Sequence, residues 1–412
     1  MATIRPFKAA RPVRDKVHLV ASRSYISYSW QTLHRKLNEN PYTFIHIINP
    51  EYNKKDKHPP NSPGRFRKVR ERYEEFVKDG VFKRDPRNAF YIYRQQKGNH
   101  TWTGIVGCAS THDYDKNIIK KHEKTLEKRE QIFTRYLELT RINAEPVLMT
   151  YPDDREIYNM LRGFMGRFPE YDYTTMDQVR HTLWVVDDQY AIDYIRERFG
   201  EFRSLYIADG HHRSASSARL ARNWRSEGGS PNALYNYFLS LFLPESSLKI
   251  FPFHRLLKDL GGWKEADLVE ELKKHFSVIL FTSDKPDEPQ KLKQIGFMTA
   301  ENYYCLEPLK GSYDENDPVK SLDVSILSEN ILKPYWDIRD QTKDQRVEFA
   351  GGEKQYENVA QMIRSGRYGA AFLLHPITMK QLKRVSDNNR TLPPKSTFIE
   401  PKLRSGLTVF EF

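Results

Sequence analysis

A nine-residue segment, LYIADGHHR at residues 205–213, constrains the local structure of this chain more than any other. Its apolar start predicts a buried strand that ends at Asp209, and Gly210 permits a tight turn. The following residues, SASSARLAR, predict a helix. This box therefore places a carboxylate, two imidazoles and a guanidinium beside the free N–H groups of a helix N-terminus. Such a terminus attracts anions, and Arg213 adds a donor suited to phosphate.

The polar residues of the box predict chemistry around a bound phosphate. Asp209 ends a strand, where α/β proteins place their chemistry, and can hold Mg²⁺ or orient a histidine. His211 and His212 can donate to phosphate oxygens, and Gly210 lets a ligand approach the backbone. The structural alternative is a capped helix, but two histidines and an arginine exceed what a cap requires. Zinc is less favoured because adjacent histidines point in different directions.

The composition indicates a soluble protein with a sizeable core. The chain has 412 residues, enough for two or three domains, and 39% of them are hydrophobic. No run approaches the roughly 18 apolar residues of a membrane span, and the start of the sequence lacks the apolar core of a signal peptide. Two cysteines exclude a disulfide framework. We therefore expect a cytoplasmic protein.

The charge favours an anionic partner. Lysine and arginine number 66 against 54 acidic residues, a formal charge of +12. Such a surplus fits a phosphate metabolite, a nucleotide or a nucleic acid, although a basic solvated surface without a partner is the plain alternative. The basic residues are spread along the chain and no helix-turn-helix pattern is visible. These features argue against nucleic acid.

Hydrophobic periodicity predicts an α/β fold with a mixed sheet, in an N-terminal region 1–245 and a C-terminal region 246–412. Strands are expected at 17–22, 44–48, 89–95, 102–110, 146–151, 181–186, 205–209, 235–243, 278–281, 302–306 and 369–374. Helices are expected at 29–39, 66–78, 117–143, 190–199, 265–276, 324–332 and 357–364, besides the one after the box.

A second candidate for chemistry is His122-Glu123. The predicted helix 117–143 carries one apolar stripe, and both residues lie on or beside it. Partial burial there would raise the pKa of Glu123, which suits a general base. The alternative is a solvated charged helix with a satisfied histidine.

A third candidate is the donor-rich closing loop, residues 391–406. Two prolines stiffen the chain before Lys395 and Ser396, and Lys402 and Arg404 follow. Cations and hydroxyls in a restrained loop suit a polyphosphate grip. The alternative is a disordered basic tail. No P-loop, kinase Gly-rich motif, Gly-x-Ser-x-Gly or Rossmann fingerprint is present.

Several blocks resemble the bacterial and archaeal family called domain of unknown function 1015. Beside the box, they are IRPF (4–7), VAS (20–22), NPYTF (40–44), DY (113–114), IKKHEKT (119–125), LDVSIL (322–327), FAGG (349–352), PPKST (393–397) and EPKLR (400–404). These blocks run nearly from end to end.

The resemblance implies a ParB/sulfiredoxin-like core with an additional α/β C-terminal region. Members of this family in turn resemble free L-serine kinases. The implied reaction converts L-serine into O-phospho-L-serine, with pyrophosphate, ATP or ADP as donor and Mg²⁺ as cofactor. Asp209, Gly210, His211, His212 and Arg213 would hold the transferred phosphate and Mg²⁺. Glu123 with His122 would accept the serine proton. Lys395, Ser396, Lys402 and Arg404 would bind the donor.

One position departs from the family pattern. Many members have Pro-Tyr-Asp after the first strand, whereas this chain has Ser24-Tyr25-Ile26. The missing carboxylate leaves the acceptor open. Two alternatives therefore stand beside the kinase: a ParB-like nucleotide- or DNA-binding protein, and a metal-dependent phosphohydrolase built on Asp209, His211 and His212.

Overall fold

The structure, a computed structural model, describes residues 1–281, 288–353 and 355–412, with the exception of the Ile26 side chain. These residues form two compact units. Unit 1 comprises Met1–Leu248 and Pro401–Phe412, and unit 2 comprises Lys249–Glu400. The sequence predicts continuous regions 1–245 and 246–412. The structure instead assigns the last twelve residues to unit 1, so the closing loop 391–406 is divided between the units.

The strands and helices follow one another along both units. The strands are β1 (Ile4–Arg5), β2 (Ala10–Pro12), β3 (Phe82–Arg84), β4 (Phe90–Lys97), β5 (His100–Ser110), β6 (Ile119–Lys120), β7 (Ile142–Asn143), β8 (Val147–Tyr151), β9 (Tyr171–Thr174), β10 (Arg180–Val186), β11 (Leu205–Asp209), β12 (Tyr237–Pro244), β13 (Lys249–Phe251), β14 (Phe253–Leu257), β15 (Phe276–Phe281), β16 (Ile295–Met298), β17 (Tyr303–Pro308), β18 (Val347–Gly351), β19 (Ala370–Leu374), β20 (Phe398–Glu400) and β21 (Phe410–Glu411). The α-helices are α1 (Val17–Val20), α2 (Trp30–Glu39), α3 (Ile45–Ile48), α4 (Pro63–Lys78), α5 (Thr111–Asp115), α6 (Glu127–Thr140), α7 (Arg155–Met165), α8 (Gln189–Glu201), α9 (His211–Ser226), α10 (Glu265–Leu272), α11 (Asp323–Leu327), α12 (Lys333–Trp336), α13 (Gln355–Arg364) and α14 (Met379–Asp387). Short 3₁₀ turns lie at Tyr25–Ser27, Leu234–Asn236 and Glu245–Ser247, and a π-helical turn at Ser328–Leu332.

Unit 1 is built on a nine-stranded mixed sheet. Its strands lie in the order β6-β11-β8-β12-β5-β4-β10-β9, and β1 also pairs with β5. The pairs β6–β11 and β8–β12 are parallel, and the other neighbours are antiparallel. The predicted α/β class with a mixed sheet is therefore confirmed. The likeness of this core to the ParB/sulfiredoxin fold stays a prediction.

The core of unit 1 forms where helices bury one face on this sheet. On α7 the buried residues are Ile157, Leu161 and Phe164, at the three-to-four residue spacing of one helix face. They share a cluster with apolar residues of β5, β8 and β12, among them Ile105 and Phe242. This packing holds β11, which forms the first five residues of the box.

Unit 2 contains a six-stranded sheet in the order β15-β17-β16-β19-β14-β18. All five neighbouring pairs are antiparallel. One side of this sheet packs against α13, whose Val359, Ala360 and Ile363 are buried beside Leu256 and Leu373. Most of the helices and strands predicted for the C-terminal region are present within one to four residues of their predicted ends.

Two predicted strands are wrong. Residues 17–22 and 44–48 contain the short helices α1 and α3. Both apolar runs are only four or five residues long, a length at which a buried strand and one buried helical turn have the same pattern. Phe44, Ile45 and Ile47 are nevertheless fully buried, so the predicted burial is correct.

The predicted helix 117–143 is also wrong in its first third. Asn117 has a left-handed backbone, with φ of 57°, a conformation that asparagine adopts more readily than most residues and that interrupts a helix. Ile119 and Lys120 then form β6 beside β11. The helix α6 begins only at Glu127. His122 and Glu123 consequently lie in the connection between β6 and α6, not on an apolar helical stripe.

In the residues that the structure describes, no helix combines the length and the apolar character that a membrane crossing requires.

Candidate functional site

The box folds as its sequence predicts, and Gly210 suits the left-handed backbone of its turn. Strand β11 ends at Asp209, Gly210 has a φ of 102°, and α9 starts at His211. A Cβ at position 210 would lie 2.9 Å from both Nε and Nη2 of Arg213. Among the described residues, no side chain caps the N-terminus of α9. The first amides of this helix therefore stay available to an anion.

Arg213 is held by two carboxylates at this turn. Its Nη1 forms an ion pair with Glu145, and its Nη2 lies 3.6 Å from Asp209 Oδ2. The Arg213 side chain is 24% exposed, so part of it remains accessible to a ligand. Glu145 precedes β8, and nothing in its local sequence indicates that it fixes an arginine 68 positions later. Sequence reasoning therefore missed this residue.

The connection after β6 brings His122 and Glu123 to the same turn. The backbone N–H of His122 donates to His211 Nε2 at 3.4 Å. The two imidazole rings meet edge to face, with their centroids 4.4 Å apart. His211 Nδ1 lies 3.3 Å from Glu123 Oε2. Because Nε2 accepts a hydrogen bond, a neutral His211 carries its proton on Nδ1, facing the carboxylate.

The pKa of Glu123 is shifted in the direction opposite to the sequence prediction. Burial acts to raise this pKa, but the contact with His211 and the neighbouring imidazoles of His122 and His212 outweigh it and lower the pKa to about 2. Its side chain is also 54% exposed. Glu123 is thus an accessible anion at neutral pH.

His122 and His212 are uncharged at neutral pH. Complete burial, reinforced by His211, lowers the pKa of His122 to about 3. Burial and the Arg129 guanidinium also lower the pKa of His212. Each imidazole therefore offers one N–H donor and one lone pair, the form that binds a metal or donates to a phosphate.

Two places in this region have donor sets that fit a metal ion. The Asp209 side chain is 44% exposed, and Arg213 lies beside its Oδ2. Its Oδ1 can therefore bind Mg²⁺, an ion that one carboxylate can hold together with water and substrate phosphates. His122, Glu123 and His211 place one ligand atom each within 4.8 Å of one another. Imidazoles with a carboxylate suit a transition metal better than Mg²⁺.

The predicted donor-binding residues of the closing loop divide between the units. Lys402 is exposed and Arg404 buried in unit 1. Lys395 and Ser396 belong to unit 2, where the Lys395 ammonium lies 5.1 Å from the Phe253 ring centroid. The Ser396 hydroxyl donates to the Pro393 carbonyl. The role of all four residues in donor binding stays a prediction.

Ser405, beside Arg404, connects this segment to the box. Its hydroxyl donates to Glu145 Oε2 at 3.3 Å, and Glu145 is the residue that pairs with Arg213. Unit 1 therefore brings together Glu123, the box and part of the closing loop. The position that departs from the family pattern, Ile26, has a side chain outside the described residues.

Comparison with protein families decides the affiliation of this chain. The family described as "Protein of unknown function (DUF1015)" matches residues 4–325. The chain belongs to the DUF1015 family. This DUF1015 protein has no match among curated proteins.

Several solved structures are similar to this DUF1015 protein at low identity. A free serine kinase in complex with AMP is 13% identical at a TM-score of 0.34, over 71% of this chain and 89% of that one. A conserved hypothetical protein from Pyrococcus furiosus is 13% identical at a TM-score of 0.34, over 72% and 92%. SbnI with a C-terminal truncation from Staphylococcus aureus is 12% identical at a TM-score of 0.36, over 74% and 87%. Similarity of this size assigns no function.

Proposed function

We propose that this protein is a small-molecule phosphotransferase that moves a phosphoryl group from a donor to an alcohol. Free L-serine is the acceptor we favour, O-phospho-L-serine the product, and pyrophosphate, ATP or ADP the donor. The observation that carries the proposal is the position of Glu123. It is an exposed carboxylate 3.3 Å from His211, the first residue of a helix whose uncapped N-terminus suits a phosphate.

The box supplies the binding of the transferred group. The amides at the start of α9 and the Arg213 guanidinium would contact oxygens of the phosphoryl group, and neutral His212 would donate one further hydrogen bond. Asp209 and Glu145 keep the guanidinium in place. Phosphoryl transfer depends mainly on positioning and neutralisation of charge, so donors fixed before the reaction are what such a step needs.

Glu123 supplies the base. The serine hydroxyl oxygen would attack phosphorus while the bond from phosphorus to the donor's leaving oxygen breaks, and the hydroxyl proton would pass to Glu123. The low pKa keeps this carboxylate ionised at neutral pH, and His211 Nδ1 lies 3.3 Å from it. In a loose transition state the base mainly positions the nucleophile, so a weakly basic carboxylate is adequate.

Mg²⁺ is the cofactor that we propose for this reaction. Asp209 would hold it together with phosphate oxygens of the donor. When bound, the ion would neutralise charge on the donor and leaving group.

A donor panel tests the proposal. Purified protein is incubated with L-serine and Mg²⁺, and separately with ATP, ADP or pyrophosphate, and phosphoserine is quantified by mass spectrometry. We expect one donor to give phosphoserine at a rate that the Glu123→Gln variant loses. A folded protein that makes no phosphoserine from any of the three donors would refute the serine kinase.

A metal-dependent phosphohydrolase is a second candidate. The sequence bases it on Asp209, His211 and His212, whereas the proximity of His122, Glu123 and His211 supports a metal site that shares only His211 with that set. The ligand atoms of His122, Glu123 and His211 lie within 4.8 Å of one another, close enough to share one metal ion. Metal analysis of the purified protein separates the two functions. One equivalent of zinc, manganese or iron, lost in a His122→Ala variant, would favour the hydrolase, whereas a metal-free protein active with added Mg²⁺ would favour the kinase.

A further inference from the structure

Asp177 in unit 1 is shared by two arginines. Nη2 of Arg404 lies 2.9 Å from Asp177 Oδ1 and 2.8 Å from Oδ2, and the same nitrogen donates to Thr175 Oγ1 at 3.1 Å. Arg23 forms a second ion pair with Asp177. The Arg404 side chain is only 5% exposed, whereas that of Arg23 is 37% exposed. A buried guanidinium thus shares its one carboxylate with another cation.

A third cation lies near this pair. The Lys36 ammonium on α2 lies 5.4 Å from the Tyr28 ring centroid, and the Tyr28 hydroxyl accepts the backbone N–H of Arg23 at 2.9 Å. Burial, and then repulsion by Arg404, lower the pKa of Lys36. Asp177 is the only carboxylate that pairs with any of the three cations in the described part of the chain. Arg23, Lys36 and Arg404, here called the cation cluster, therefore carry an uncompensated positive charge.

Two buried polar atoms beside the cation cluster have no hydrogen-bond partner among the described residues. They are Arg404 Nε and Ser22 Oγ. Backbone hydrogen bonds in both directions between Ser22 and Ser405, at 3.2 and 2.7 Å, bring the two segments side by side. Buried donors without partners are rare in folded proteins and call for an explanation. A ligand with acceptor oxygens would supply the missing bonds.

The cation cluster is connected to the box through two residues. Ser405 follows Arg404 and donates to Glu145, and Glu145 pairs with Arg213. A ligand bound at Arg404 therefore contacts the segment that fixes the phosphate-binding arginine. Sequence reasoning assigned Arg404 to the donor, and it missed Arg23, Lys36 and Asp177 because these residues are far apart in the chain.

We propose that the cation cluster binds a second oxyanion of the substrates, either the carboxylate of the acceptor or a distal phosphate of the donor. Asp177 is its internal counter-ion and occupies the guanidinium of Arg404 until the oxyanion arrives. This assignment of the ligand rests on the proposed phosphotransferase function. The binding of an oxyanion can nevertheless be measured without any turnover.

Calorimetric titration at fixed ionic strength and without Mg²⁺ tests the proposal, with L-serine and inorganic pyrophosphate as the two probes. Arg404→Gln and Arg23→Gln should each lower the affinity for one of the two probes about tenfold, because a hydrogen bond to a charged group is lost. Loss of L-serine binding identifies the acceptor carboxylate, and loss of pyrophosphate binding identifies the donor. Arg180→Gln, in an exposed ion pair with Asp172, is the matched control and should change neither.

The Asp177→Asn variant separates this proposal from a purely structural ion-pair network. Removal of the competing carboxylate leaves the arginines free, so the affected probe should bind several-fold more tightly. Circular dichroism and thermal melts identify any variant that does not fold, and Arg23→Gln, at the more exposed arginine, then decides. The proposal is overturned if folded variants bind both probes as the wild type does, or if Asp177→Asn weakens binding. Failure to form phosphoserine while these shifts are observed would refute only the proposed reaction.

Discussion

His211 Nδ1 lies 3.3 Å from Glu123 Oε2, although 88 positions separate the two residues in sequence. The contact joins the first residue of α9 to the connection after β6 because β6 and β11 are parallel neighbours in the sheet. It places an anionic carboxylate beside a helix N-terminus that suits a phosphate. In the proposed reaction, this carboxylate is the base.

Glu123→Gln should lower the rate of phosphoryl transfer by about 10²–10⁴-fold, the contribution of a positioned general base. The amide keeps the shape of the side chain but accepts no proton. Steady-state kinetics should show this loss in kcat, with an unchanged melting temperature. Glu127→Gln, at an exposed position at the start of α6, is the control. An equal loss in both variants would contradict the role of Glu123.

Arg213→Lys should weaken binding of the phosphate donor about 10–100-fold, because an ammonium cannot replace a bidentate guanidinium. Titration with the donor identified by the panel measures the effect. Arg222 lies on the same helix, in an exposed ion pair with Asp115. The Arg222→Lys variant is the control and should bind the donor as the wild type does. Unchanged affinity in Arg213→Lys would remove this arginine from the site.

Gly210→Ala should abolish donor binding while lowering the stability of the protein only modestly. Its left-handed φ of 102° is unfavourable for alanine by about 1–2 kcal/mol, and the added Cβ would displace the Arg213 guanidinium. We expect a modest fall in the melting temperature together with loss of donor binding. Gly200→Ala, where a Cβ meets nothing within 4 Å, should instead stabilise helix α8 by about 0.5–1 kcal/mol. Retained donor binding in Gly210→Ala would show that the turn need not hold Arg213.

Acid should destabilise the fold through Glu170. Burial acts to raise the pKa of this residue, but hydrogen bonds from Arg14 and Arg11 lower it to about 2. A folded-state pKa below the unfolded value stabilises the protein above about pH 4.5, and the gain is lost as the pH falls towards 2. Denaturant unfolding of the wild type between pH 5 and 2.5 should show this loss. Glu170→Gln should be less stable at pH 7 and should depend less on pH, and identical slopes in both proteins would contradict the assignment.

The sequence predicted the strand, turn and helix of the box because each signal is local. Apolar residues end at Asp209, Gly210 permits a positive φ, and the following residues favour a helix. His122 and Glu123 lie in a connection and not on the predicted helix, and their part in chemistry stays a prediction. The left-handed Asn117 and the pairing of β6 with β11 depend on tertiary contacts.

Long-range partners could not be predicted from the chain alone. Glu145 becomes visible as the partner of Arg213 only after folding, and the same holds for Asp177 and Arg404. Each pair joins residues 68 or 227 positions apart. The pKa of Glu123 was predicted in the wrong direction for the same reason, since the imidazoles that lower it come partly from the distant box.

The fate of the phosphoryl group tests the central claim most directly. Phosphorus NMR of the protein with L-serine, Mg²⁺ and the active donor distinguishes O-phosphoserine from inorganic phosphate formed by transfer to water. We predict one phosphoserine for each donor consumed, and no phosphoserine with Glu123→Gln. Donor consumption that yields only inorganic phosphate, at the same rate with and without L-serine, would contradict a phosphotransferase and favour the hydrolase.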